Sequence, residues 1–189
     1  TVLGVGYGIK SIGSIENVFS GMSGAGLFLG LSLGVLYALK AKESKMAKKT
    51  DGSKTRTVRG IGNLIDANFS GTVKSKDCSL ILCEGLSALS GIVSGLSSED
   101  RNTIGIYPLK GKLLNVRGEQ TKKITDNKEI TDIKKILGLE KGHVYKSIDD
   151  VHKNLRYGKI MVMTDQDVDG SHIKGLLMNL FHTFWPSLL

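Results

Sequence analysis

The chain has 189 residues, 40% of them hydrophobic and 23% charged, which excludes a protein too short or too polar to bury a core and suits one ordinary domain with an appendage. Lysine plus arginine exceed aspartate plus glutamate by 26 − 18, a net charge of +8, so a polyanion is the natural partner. The two cysteines, Cys78 and Cys83, lie five apart about a predicted strand and point to opposite faces. That excludes a disulfide or a metal pair between them and suits a reducing compartment.

Residues 1–39 are rich in glycine and poor in charge. The Gly-x-Gly-x-Gly at Gly4, Gly6 and Gly8 lacks a visible strand–helix frame and is assigned nothing. Val18 to Leu39 is uncharged, as long as a transmembrane helix, and spaces Gly26, Gly30 and Gly34 as small-xxx-small, with Lys40, Lys42 and Lys45 behind it. Gly21, Gly24, Ser20, Ser23 and Ser32 dilute its apolarity, so a helix packed within a large soluble assembly is expected over a membrane anchor. Lys40 to Arg59 carries eight basic residues against Glu43 and Asp51. It reads as the end of a charged helix followed by a flexible linker. We divide the chain into a Gly-rich segment with basic linker over 1–58 and a domain over 59–189, compact from about Cys78. The chain starts at Thr1 and stops in the apolar Leu188-Leu189, and we expect a piece of something longer.

Within the domain, Ser79 to Cys83 is a short apolar strand, with Glu84-Gly85 at its end. Ser87, Ala88, Leu89, Ile92, Val93 and Leu96 then follow at helical spacing. Gly85 permits the sharp turn between them. Ile104 to Tyr107 is a second strand, ended by Pro108. The loop after it offers Lys110, Lys112 and Arg117 as cations for phosphate and Asn115 as a neutral hydrogen-bonding group. Thr121 to Gly138 is polar and helical, with Ile130, Ile133, Ile136 and Leu137 on its inner face. Lys141 to Arg156 is a charged connection.

Ile160 to Met163 suits a third strand, buried on both faces. Asp165, Asp167 and Asp169 follow at alternate positions; Gly170 breaks the pattern, and Ser171 can cap a helix whose apolar face is Ile173, Leu176, Leu177, Leu180, Phe181 and Phe184. Three acids within five residues repel one another unless a cation, a proton or water intervenes. A hard ion such as Mg²⁺ suits them, since it takes carboxylate oxygen and retains waters. The rival reading as an EF-hand calcium loop fails because the twelfth position, which should be a bidentate Glu, is Leu176. Glu84 repeats the logic of Asp165, an acid at a strand's carboxyl end. In a parallel sheet both ends lie on one edge, so residues some eighty apart can share one cation.

Three motifs carry a family resemblance. They are Cys83-Glu84-Gly85-Leu86-Ser87-Ala88, Pro108-Leu109-Lys110-Gly111-Lys112-Leu113-Leu114-Asn115-Val116-Arg117, and Thr164-Asp165-Gln166-Asp167-Val168-Asp169-Gly170-Ser171-His172-Ile173. In order and spacing the chain from about Arg59 to Leu189 resembles the Toprim region of type IIA DNA topoisomerases of the eukaryotic and large-DNA-virus kind. The resemblance implies an α/β fold, a Rossmann-like parallel sheet flanked by helices. It also implies an ATP-driven isomerase, a homodimer of nucleus or viral replication site that passes one double-stranded DNA through a transient break in another. Glu84, Asp165 and Asp167 would be catalytic metal ligands for Mg²⁺, for which Mn²⁺ or Ca²⁺ can substitute, with Asp169 an accessory acid. Lys112 and Asn115 match DNA-contacting positions, and Lys110 and His172 are looser DNA-binding candidates. ATP would bind a domain outside this chain. The nucleophilic tyrosine would belong to a winged-helix region beyond Leu189, so Tyr157 is not that residue and the fragment alone should not cleave. Leu86 stands where the family has Asp, which implies lost support for the ligands rather than a dead site. Residues 1–39 match no family segment, and their position suggests the end of an ATPase-side transducer. A Toprim primase or nuclease module, and a membrane-tethered nucleic-acid-binding module without catalysis, are the competing readings.

Overall fold

The structure is a computed structural model and describes residues 24–189, with side chains from Ser32 onward. The Gly4-Gly6-Gly8 motif and the start of the Val18–Leu39 span lie outside the described residues. The chain divides into two units at Ser44, and Lys45–Leu189 is the compact unit that carries the predicted motifs. Helix α1 spans Gly24–Lys48 and exposes Leu33, Leu36 and Tyr37. No helix among the described residues is long and apolar enough to cross a membrane.

The compact unit is built on a three-stranded parallel sheet with β1 (Ser79–Glu84) at its centre, β2 (Ile104–Leu109) on one side and β3 (Lys159–Met163) on the other. Ile81 pairs with Ile106 and with Met161, so the three strands run in step to a common end. Two apolar clusters cover the two faces. Leu80 and Leu82 of β1 pack in the larger one; Ile81 and Cys83 pack in the smaller one, beneath Leu89 and Ile92 of helix α2 (Gly85–Gly95). Cys78 belongs to the larger cluster and Cys83 to the smaller, and both are free thiols on opposite faces. Parallel strands with helices on both faces are the expected Rossmann-like α/β arrangement.

Several local expectations need correction. Strand β2 runs through Pro108 to Leu109 because it is an end strand and can carry a residue without a ladder donor. The polar helix over 121–138 is two helices, α4 (Thr121–Asp126) and α5 (Lys128–Leu137), after the short α3 (Asp100–Thr103) that precedes β2, and the charged connection that follows contains α6 (Ile148–Asn154). They divide at Asn127, whose side chain accepts the Ile130 N–H as an N-cap. The expected inner face of Ile130, Ile133, Ile136 and Leu137 is buried. Strand β3 forms but is not buried on both faces. It is an end strand, and Ile160, Met161 and Met163 are exposed. An apolar groove of about 820 Å³ runs beside it, lined by Val162, Leu177, Phe181 and Leu188.

The segment expected as a flexible linker is instead stitched to the unit. Arg156, fully buried, donates through Nε to the Thr55 carbonyl (2.7 Å), through Nη1 to the Ile136 carbonyl (2.7 Å) and through Nη2 to Ser70 Oγ (2.9 Å) and the Asp66 carboxylate. The Tyr157 hydroxyl donates to the same carboxylate and accepts the Ala67 N–H (3.0 Å). Further along, Lys134, also buried, pairs with Asp51 at 2.7 Å and donates to the Ala47 carbonyl and Thr50 Oγ1 at the end of α1. Burial pulls the Lys134 ammonium below its ordinary pKa, against the upward pull of Asp51.

We expect Arg156→Met to cost about 3 kcal/mol, because it strands a partly buried carboxylate and several carbonyls. Chemical denaturation of the protein should show the midpoint fall. An unmoved midpoint would mean that Arg156 does not hold the 52–71 segment.

Candidate functional site

Because β1 and β3 are parallel neighbours with Cys83 opposite Met163, their carboxyl ends open on one edge. Glu84 ends β1, and Gly85 turns the chain into α2 with φ +80°, a value glycine adopts without strain. Glu84 is the N-cap residue of α2, yet its side chain makes no capping bond. Its Oε2 instead accepts the Asp165 N–H, at 3.4 Å. The structure therefore brings Glu84 against the start of the acidic turn.

Beyond β3 the three aspartates take different positions. Asp165 is exposed at the strand tip. Asp167 is the N-cap of helix α7 (Val168–Phe184), its Oδ1 accepting the Gly170 N–H at 2.7 Å. The expectation that Ser171 caps this helix is overturned, since the Asp167 carboxylate already satisfies the amide three residues on. Asp169 falls in the first turn, where the helix dipole favours an anion. Gly170 is thus helical rather than a breaker, and it is buried against the Asp165 carbonyl and the Thr164 side chain, leaving no room for a Cβ.

Among the described residues no group of three or more His, Cys, Asp or Glu side chains is placed to hold a metal ion by itself. Mg²⁺ does not need one: it binds through one or two carboxylates and keeps waters and substrate oxygens. An exposed, oxygen-only set at two adjoining strand tips fits that chemistry, and fits a soft or fully protein-ligated ion poorly.

The basic loop lies over the same edge. Lys112 Nζ sits 2.8 Å from Asp169 Oδ1, with both side chains about half exposed. The Lys112 ammonium, by its hydrogen bond first and its charge second, holds Asp169 below the ordinary carboxylate range. Asp169, and more weakly Asp167 and Glu84, raise Lys112 in turn. Asn115 Oδ1 accepts from Asn179 of α7 (2.8 Å) and from the Arg117 N–H (3.2 Å). Lys110 is held by its backbone, whose N–H donates to Glu129 Oε1 (2.7 Å) while its side chain is exposed. His172 is exposed on α7 and is the least of the influences that lower the Asp169 pKa. Sequence reasoning missed Asn179 and Glu129, since one polar residue in a helix carries no signal of the loop it will touch.

Two further residues are placed by the fold. Leu86 is 58% exposed on the rim of a cavity of about 520 Å³ that Glu84, Tyr107, Lys110, Lys128 and Asp132 also line. Tyr157 is buried, with its phenol pushed up in pKa by burial and by Asp66, which is the environment of a structural tyrosine rather than a nucleophile.

Comparison with known proteins places these features in a group. A family model described as the Toprim domain matches residues 79–188. DNA topoisomerase 2 of Pisum sativum is 54% identical over 148 residues, 78% of this chain and 10% of the relative. That of Acanthamoeba polyphaga mimivirus is 54% identical over 150 residues, 79% of this chain and 12% of the relative. The Drosophila melanogaster protein is 47% identical over 184 residues, 97% of this chain and 12% of the relative. The crystal structure of the Plasmodium falciparum topoisomerase II DNA-binding, cleavage and re-ligation domain aligns with a TM-score of 0.66 and 52% identity, covering 71% of this chain and 18% of that one. The chain spans between 10% and 12% of the length of these curated relatives.

Replacing Gly170 by Ala should cost about 1–3 kcal/mol, as overpacking does, and lower the melting temperature. Gly175→Ala on the same helix, where an added Cβ meets nothing within 4 Å, should be neutral or stabilise by up to about 1 kcal/mol. Equal effects at the two positions would contradict the tight approach of Gly170 to the acidic turn.

Proposed function

The chain belongs to the Toprim family, in the version that DNA topoisomerase 2 proteins carry, and from that premise we propose that it is the Mg²⁺-binding part of a longer, ATP-dependent type II topoisomerase acting on double-stranded DNA. The observation that carries this reading is the in-register parallel pairing of β1 with β3, which sets Glu84 against the backbone of Asp165. Glu84 and Asp165 would hold the ion, with Asp167 contributing the oxygen its cap leaves over and Asp169 in reserve. When bound, the metal supplies Lewis-acid stabilisation of charge on a scissile phosphate.

The residues of this chain then have separate tasks. Glu84 and the acidic turn position the ion at the mouth of the sheet. Lys110, Lys112, Asn115 and His172 face phosphate from the loop and helix beside it, and such contacts fix register without reading sequence. The nucleophilic tyrosine and the ATP site belong to other regions of the full-length protein. That protein would work as a homodimer, in the nucleus or at a viral replication site. The matched relatives are DNA topoisomerases, which supports this reading over a primase or nuclease module.

In the full-length enzyme, Glu84→Ala and Asp165→Ala should each lower Mg²⁺-dependent duplex cleavage by on the order of 100-fold or more, since several kcal/mol of charge stabilisation depart with the ion. Plasmid cleavage and relaxation assays read this directly. Wild-type cleavage by both variants would refute the ligand assignment, and nicked or linear end products in place of relaxed circles would favour a nuclease.

A further inference from the structure

The two strongest phosphate candidates of the basic loop are not free. Lys112 is paired with Asp169, and Asn115 is hydrogen-bonded to Asn179, so the loop is tied at two points along α7. Those points lie ten residues apart on the helix, nearly three turns, and the first of them is in the acidic turn itself. The ammonium that would contact DNA therefore neutralises an acid that would contact metal.

We propose that the Lys112–Asp169 ion pair is an exchangeable latch: while it is closed the Lys112 ammonium is withheld from DNA and the acidic turn is partly neutralised, and a DNA phosphate opens it by taking Lys112 from Asp169. The inference rests on the phosphate-binding role proposed above for Lys112. An exposed ion pair suits this task because it contributes little to stability, so a phosphate can compete for the ammonium. Each phosphate contact also releases condensed counterions from DNA, which a carboxylate partner on the protein cannot match. Linkage makes the exchange reciprocal. Any cation that occupies Asp169 releases Lys112 toward DNA, and DNA that takes Lys112 frees Asp169 for a cation. Asn115 and Asn179 hold the loop in place while Lys112 changes partner, so the exchange needs one side chain to swing rather than the fold to open.

The test is duplex binding by the full-length protein in EDTA, read by fluorescence anisotropy across a salt series, so that no metal and no cleavage contribute. Asp169→Asn should tighten metal-free binding by roughly three- to fivefold, the range an exposed pair supports. It should also steepen the dependence of log K on log salt by about 0.9, one further phosphate contact. In a Lys112→Met background the same substitution should change neither quantity, whereas in a Lys110→Met background it should keep its full effect. Both paired side chains are exposed, so these variants do not threaten the fold. A gain from Asp169→Asn that is equal with and without Lys112 would be general relief of charge repulsion and would overturn the latch alone, as would no gain in any background. Failure of the wild-type protein to bind duplex would overturn both the latch and the DNA-binding reading beneath it.

Discussion

Everything the site does depends on the pairing of β1 with β3. These strands are separated by more than seventy residues of chain, yet they run parallel and in step; β1 ends in Glu84, and Asp165 follows two residues after the end of β3. A slip of one residue in this ladder would send Glu84 to the opposite face. Register is secured because β1 is buried on both faces, with Leu80 and Leu82 in one apolar cluster and Ile81 and Cys83 in the other. The geometry of an exposed polar tip is thus fixed by apolar contacts behind it.

What could be read from the sequence follows from this division. The strand expected at Ser79–Cys83, the helix after it, the opposed cysteines and the inner face of Ile130, Ile133, Ile136 and Leu137 all show in short-range periodicity. So did the placement of acids at strand ends, because parallel topology constrains where such ends go. Features set by distant partners did not show. The sequence of β3 is as apolar as a central strand, and only its place at the end of the sheet leaves Ile160 and Met163 uncovered. A helix start at Ser171 is four residues late, because the side chain of Asp167, expected only as an acid of the site, is the cap, and hydrogen-bond geometry alone reveals it.

The larger omission was buried charge. Arg156 closes a stretch expected as a charged connection and Lys134 lies in one expected as a polar helix, and both are inside the protein. Each gathers several acceptors: carbonyls of residues 55, 56 and 136 around Arg156, and the end of α1 around Lys134. A guanidinium satisfies that many acceptors with a fixed planar fork. The result is that a segment of irregular backbone, with little secondary structure of its own, is tied to the compact unit through one buried side chain. Composition alone reads such a segment as a tether.

The bare side of β3 has its own implication. An outer strand with a row of main-chain donors and acceptors unused by its sheet, flanked by Ile160, Met161 and Met163 and by an apolar groove, is a template for further strand addition. It lacks the usual safeguards along its length, for its single basic residue, Lys159, stands at the start and no proline interrupts it. Wherever that flank is uncovered, the fold leaves backbone groups and apolar side chains together on one border, where an incoming strand would find both.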